Sequence, residues 1–316
     1  MVISHIGEEQ AMNNLPKVIL DTDIGDDIDD SFALLLLLES HRFNCLGVTT
    51  VFRNAYKRAK MAKQLISKLG YDVKVYAGID MPLKQKIEHL IPEDIKKKEK
   101  VDEDGKYLFP QYDKSMDDEI VEKENAVDFI IDMVHRYPHE VTLIPIGPLT
   151  NIASAIKKDS SIIPLIKEVR LMGAGLNLNF VEWNIFCDPD ADKLVFSSNI
   201  NKIVAVTLNV TMQTSLSDKE VDSLKHNNSA AIKLVYEAMM KWFKHYEFTS
   251  PVMHDPLTVA SLIDETIIGT QLCHLDVDLT KDGYTYINDN CHNNVYVSTS
   301  LNKEKFFKLF KETLAI

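Results

Sequence analysis

The chain is constrained most by an alternation. Short β-branched runs (Val18-Leu20, Leu46-Val51, Val73-Tyr76, Val141-Pro145, Val169-Met172 and Ile203-Leu208) take turns with helical patterns (Ser31-Ser40, Ala55-Leu69, Ala126-Tyr137, Ile152-Lys157 and Asp190-Ser197). Apolar runs too short for helices, separated by amphipathic stretches, predict an open, mostly parallel sheet with helices on both faces. Ser229-Tyr246 and Pro256-Ile263 continue as helices, Lys281-Ser300 reads as a late antiparallel hairpin, and Lys303-Ala315 as a terminal helix. No internal repeat interrupts this, so one α/β domain over residues 1–316 is expected, its length compatible with a large single core.

In such a sheet a ligand binds beyond the strands' C-terminal ends, and the residues that end each apolar run carry the information. The first run is followed by Asp21-Thr22-Asp23-Ile24-Gly25-Asp26-Asp27-Ile28-Asp29-Asp30, in which six of ten residues are Asp. That many like charges in one turn require either solvation or a cation. An EF-hand loop beginning at Asp21 needs Gly at its sixth position and Glu at its twelfth, where this chain has Asp26 and Phe32. No His or Cys lies close enough for a zinc site. All-oxygen donors favour Ca or Mg, and Ca tolerates a crowded, irregular donor set better.

The other run ends are polar as well. Arg53 and Asn54 follow the second, Gly147-Pro148-Leu149-Thr150-Asn151 the fourth, Gly173-Ala174-Gly175 and then Glu182-Trp183-Asn184 the fifth, and Asn209, Thr211 and Gln213 the sixth. Far downstream, Met253-His254-Asp255-Pro256 opens a helix, with Pro suited to the first turn. Carboxylates and amides of this kind suit polyhydroxylated ligands. A cation, a carboxylate base and a water suit hydrolysis. There is no Walker loop, GxGxxG or nucleophile elbow.

Composition narrows the partners. A net charge of -12 argues against nucleic-acid binding through a basic surface. The run Phe32-Leu38 is too short to span a membrane. Residues Met1 to Lys17 hold no apolar core of a signal peptide. Four scattered cysteines without a CxxC predict a reducing, cytoplasmic setting. Residues 84–124 are densely charged, including Lys96-Lys97-Lys98-Glu99-Lys100, and read as a solvated insertion or as a lid over the acidic turn.

These motifs together resemble the inosine–uridine nucleoside hydrolase family, from about Lys17 to the C-terminal helix. Val18 to Leu34 resembles its Asp-rich N-terminal fingerprint. Gly147-Pro148-Leu149-Thr150-Asn151-Ile152-Ala153, Glu182-Trp183-Asn184 with Asp188-Pro189, and His254-Asp255-Pro256 follow in the family's order. The resemblance implies an α/β sheet with bound Ca, and hydrolysis of ribonucleosides to free base and ribose. It implies Asp23 as general base and Ca ligand. Asp30, Asp255 and the carbonyl of Ile146 complete the ligands. Asp29, Asn54, Glu182 and Asn184 would contact ribose, with Trp183 beside them, and His254 would protonate the departing base. Homodimers or homotetramers are expected on the same ground.

The chain departs from the commonest fingerprint in three places. Ile24 stands for Pro, two extra residues lie between Gly25 and Asp29, and Met81-Pro82-Leu83 runs into Lys84-Gln85-Lys86 instead of His-Gly. Asp27 is therefore a rival to Asp29 and Asp30 as ligand. Two other functions stay open at this point: a weakly active Ca-dependent ribose- or nucleoside-binding protein, and a haloacid-dehalogenase-like phosphatase built on Asp-x-Asp.

Overall fold

The computed structural model describes residues 14–84, 96–97, 99–247 and 250–316. Twelve strands occur among them. They are β1 (Lys17–Thr22), β2 (Asn44–Thr50), β3 (Val75–Ala77), β4 (Lys100–Val101), β5 (Tyr107–Leu108), β6 (Val141–Pro145), β7 (Glu168–Met172), β8 (Ile203–Val206), β9 (Ile268–Cys273), β10 (Leu275–Asp278), β11 (Tyr284–Ile287) and β12 (Val295–Leu301). Eight form one sheet in the order β3-β2-β1-β6-β7-β8-β12-β9. Every neighbouring pair is parallel except β12 and β9. The chain builds outward from β1 through β2 and β3, then crosses back to β6 and builds the other way. The order therefore reverses between β1 and β6, and a crevice opens above their C-terminal ends.

Helices cover both faces. On one, Asp29–Glu39, Ala55–Leu69, Ala230–Tyr246, His254–Ile263 and Lys303–Leu314 enclose one core. On the other, Ala126–Arg136, Thr150–Lys158 and Pro189–Phe196 enclose a second. The helix Asp29–Glu39 is apolar all round, and accordingly every residue from Asp29 to Leu38 is buried. The helix Ala55–Leu69 ends on Gly70, whose φ of +81° closes it in the left-handed cap that glycine favours.

Most expected elements are present, with three differences. The run Ile203-Leu208 stops as a strand at Val206, because Leu208–Thr211 turns into a short helix. The late hairpin exists, but its partners are β10 and β11. Val295–Leu301 instead enters the main sheet beside β8 and β9. Val295 and Val297 are fully buried there, and alternation alone does not choose between two partners.

The third difference is the charged segment. Residues 85–95 and 98 lie outside the described residues. From Glu99 to Asp118 the chain is not a solvated loop. It makes the β4–β5 hairpin, and Phe109, Gln111 and Met116 are buried. Several of its charges are paired to the body: Glu99 with Arg53 at 2.7 Å, Asp117 with Lys57 at 2.6 Å, and Asp113 with Lys241 at 3.0 Å. No described helix is long and apolar enough to cross a membrane. All four cysteines are free.

Candidate active site

A cleft of about 330 Å³ lies over the β1/β6 reversal. Five segments far apart in sequence line it: the Asp-rich turn (Asp23, Asp26, Asp27, Asp29, Asp30), Ile146, Met172 with Phe180 to Asn184, Leu208, and His254 with Asp255. Its volume falls in the range of roughly 300–1,000 Å³ typical of small-molecule sites.

Asp29 and Asp30 form the first turn of the helix Asp29–Glu39, and Asp255 the first turn of His254–Ile263. Two helix N-termini thus converge, each favouring negative charge nearby. One carboxylate oxygen from each of the three lies within 4.8 Å of the others, and all three residues are buried. Hydrogen bonds reach only part of this cluster. Thr22 Oγ1 donates to Asp30 Oδ1 at 2.5 Å, and Asp255 N donates to Asp29 Oδ2 at 3.0 Å. Burial, and then mutual repulsion, raises all three carboxyls well above the ordinary carboxylate range. Three buried, repelling carboxylates with oxygens to spare are a fit for a hard cation.

Asp23 lines the same cleft at the end of β1 but stands outside that closest set. Its Oδ1 packs against Gly147, where an added Cβ would sit 2.6 Å away. Burial lifts its pKa to about 7, with the nearby Arg58 charge opposing and Asp26 adding to the rise. The closest set joins Asp29 to Asp30 and Asp255, and Asp23 lies on the same cleft just outside it. The cause is that Asp29, Asp30 and Asp255 all ride on helix starts while Asp23 rides on a strand end. Asp27 also lines the cleft, yet its Oδ1 accepts from Ile28 N at 2.6 Å and it does not join the cluster. The Asp29-Asp30 register is the one that meets Asp255.

The carbonyl of Ile146 borders the cleft and accepts from Asn184 Nδ2 at 2.9 Å, leaving a second lone pair. Glu182 caps the short helix Trp183–Cys187: its two oxygens accept from Asn184 N at 2.9 Å and Ile185 N at 3.1 Å. Burial still lifts its pKa to about 7 against those bonds. Trp183 and Phe180 are exposed at the rim, 46% and 55%, and offer aromatic faces to a ligand. Nδ1 of His254 lies 2.7 Å from Thr211 Oγ1, which leaves Nε2 for the cleft. Burial pushes this imidazole down to about 4, so it is neutral at ordinary pH.

Asn54 does not line the cleft. Its Nδ2 donates to Asp102 Oδ2 at 3.0 Å and to the Tyr107 carbonyl at 2.8 Å, because the β4–β5 hairpin brings two acceptors to it. The Gly-Pro-Leu-Thr-Asn motif and Asp188 work as struts. Asn151 Nδ2 bridges Asp21 Oδ1 (2.8 Å) and the Thr50 carbonyl (3.0 Å), while Asp188 Oδ2 accepts from Thr150 Oγ1 at 2.7 Å and Leu83 N at 2.9 Å. Sequence reasoning missed Arg58 and Tyr107 beneath the turn and Phe180, Leu208 and Met172 around it. Of these only Phe180, two residues before Glu182, carried a local signal.

Likeness to known proteins bears on the family of the whole chain. The family model described as inosine-uridine preferring nucleoside hydrolase matches residues 18–308. The inosine-uridine preferring nucleoside hydrolase of Crithidia fasciculata is 31% identical, over 94% of this chain and 97% of its own. The pyrimidine-specific ribonucleoside hydrolase RihB of Escherichia coli O9:H4 (strain HS) is 30% identical, over 84% of each chain. A solved purine-preferring ribonucleoside hydrolase from Gardnerella vaginalis superposes with a TM-score of 0.78 at 28% identity, covering 95% of this chain and 98% of that one. Fold, cleft and matches converge: the chain belongs to the inosine-uridine preferring nucleoside hydrolase family and is an enzyme that hydrolyses the N-glycosidic bond of ribonucleosides.

Proposed function

We propose that Ca is the resident cation, held by Asp29, Asp30 and Asp255 with Asp23 and the Ile146 carbonyl beside them, and that Asp23 is the general base. The observation that carries this is the convergence of three buried carboxylates with Asp23 and His254 on one cleft. The oxygen-only donor set favours Ca over Zn, and its irregularity favours Ca over Mg. When bound, the cation supplies positive charge that orients a water and lowers its pKa.

The chain's own groups do the rest. Asp23 accepts the proton of the attacking water. The bond from ribose to base breaks through an oxocarbenium-like state. Asp29 and Glu182, fixed by backbone N–H bonds, place negative charge beside the positive charge that develops on the sugar, and Asn184 stands with them. Asn54 reaches the ribose only if its hairpin partners release it. Neutral His254 offers its Nε2 side to the leaving base as a hydrogen-bond donor. Trp183 and Phe180 cover the base side of the cleft. A reducing cytoplasm, one domain and a homodimer or homotetramer complete the reading, the last checked by sedimentation.

The experiment is ribose release from a panel holding both purine and pyrimidine ribonucleosides, because the relatives' stated preferences divide between them. At least one should yield reducing sugar with Ca, lose it in chelator and regain it with Ca. Binding of a nucleoside without release of sugar would favour the binding-protein alternative. Asp23→Asn should lower turnover by about 10²–10⁴ with the melting transition intact, and near-normal turnover at saturating Ca would remove Asp23 from the role.

A further inference from the structure

Arg58 is the largest side chain buried completely among the described residues, and the reaction above does not use it. It lies in the first turns of the helix Ala55–Leu69, beneath the cleft. Its guanidinium spans two turns. Nη1 donates to the carbonyls of Asp23 and Ile24, the latter at 3.0 Å. Nε donates to Phe52 O at 2.7 Å and Arg53 O at 3.3 Å. Nη2 pairs with Asp26 Oδ2 at 2.6 Å. The first of these turns carries Asp23. The second, Phe52-Arg53-Asn54, has φ of 69°, 38° and 65° at three successive non-glycine residues. Such a run is disfavoured by itself and requires outside support.

The segment Tyr107–Gln111 closes the same network from the other side. Tyr107 Oη donates to Asp26 Oδ1. The Phe109 ring packs on Gly25, where φ is +125° and a Cβ would meet the ring at 2.4 Å. The same ring centroid is 5.3 Å from the Arg58 guanidinium carbon. Gln111 Nε2 donates to the Asp27 carbonyl at 2.5 Å. Three alternate side chains thus grip Gly25, Asp26 and Asp27, within the stretch where this chain is longer than the commoner fingerprint.

We propose that Arg58, Asp26 and Tyr107 are positioning residues that hold Asp23 for proton abstraction. The three clustered carboxylates are anchored differently, on the first turns of two buried helices. Loosening the Arg58 network therefore displaces Asp23 while leaving that cluster in place. The proposal rests on Asp23 being the base. A lysine cannot replace Arg58, because one ammonium lacks the planar fork that reaches both turns and Asp26 together.

Tyr107→Phe removes one hydroxyl, and Arg58→Lys keeps the charge but loses the fork. Each is measured for kcat, KM, Ca affinity by calorimetry and melting temperature. The expectation is a kcat loss of about 10-fold for Tyr107→Phe and about 100-fold for Arg58→Lys, with KM within about twofold and Ca affinity falling much less than kcat. The double variant should lose less than the product of the two, because both act through Asp26. Unchanged kcat, or kcat, KM and Ca affinity worsening together, overturns the proposal. If Arg58→Lys does not fold, Tyr107→Phe and Asp26→Asn decide on the same split. Asp23→Asn run alongside separates the two ideas. If it keeps turnover, the base assignment fails. If it loses turnover while Tyr107→Phe does not, only the positioning role fails.

Discussion

Gly147 shows how tightly single residues bound this site. A Cβ there would lie 2.6 Å from Asp23 Oδ1 and 3.0 Å from Asp23 N, so only glycine lets the β6 end approach the carboxylate. Gly147→Ala should push Asp23 aside and lower kcat by about 10²-fold, with little change in melting temperature. A variant of normal kcat would show that Asp23 has room to move. His254 belongs to the same scale. Its neutral imidazole faces the cleft from a helix start, where it can serve the leaving group. His254→Ala should slow natural ribonucleosides by about 10²–10⁴ and spare a riboside with a p-nitrophenyl leaving group, which departs without a proton. Equal loss on both substrates would make His254 a support for the Asp255 turn.

At the level of elements, the helix Asp29–Glu39 joins the core to the chemistry. Its first turn carries Asp29 and Asp30, and its remaining length is buried on every side against the sheet and the helices His254–Ile263 and Lys303–Leu314. That packing is what holds like charges together at its start. Leu35→Ala, at a position with no exposure, should cost about 2–5 kcal/mol of stability in a urea titration. A cost below about 1 kcal/mol would mean the helix relaxes into the cavity. The segment Glu99–Asp118 works by the opposite composition: many charges, of which Glu99, Lys106, Asp113 and Asp117 are paired to the body, around the few apolar anchors Phe109 and Met116. A charge-rich stretch is solvated only when its charges find no partners, and here partners such as Arg53, Lys57 and Lys241 lie far away in sequence.

For the whole molecule, the acidic cleft links stability to pH and to the proposed Ca. Burial raises Asp21 and Asp27 to about 6, and Asp23 and Glu182 to about 7. Without a cation the folded state then holds more protons than the unfolded chain across that interval, so stability falls as pH rises from about 4 to about 7. His254, lowered to about 4, acts in the opposite sense, but it is one group against those four carboxylates. Chelator-treated protein should thus melt lower at about pH 7.5 than at about pH 5.5. Ca should raise the melting temperature more at the higher pH, adding about 2.7 kcal/mol when its free concentration is 100 times Kd. A chelated protein that is most stable at the higher pH would contradict this linkage. The sequence by itself determined the alternation of strands and helices, down to the limits of Val141–Pro145 and Ala55–Leu69. It also determined that polar residues stop each strand on one edge, because periodicity and turn chemistry are local. Only the tertiary structure decided that Val295–Leu301 joins the main sheet, that Asn54 spends its amide on the β4–β5 hairpin, and that Arg58 lies beneath the Asp turn. Each of those outcomes depends on a partner tens of residues away, and a local pattern fixes which face of an element is apolar without fixing which neighbour will cover it.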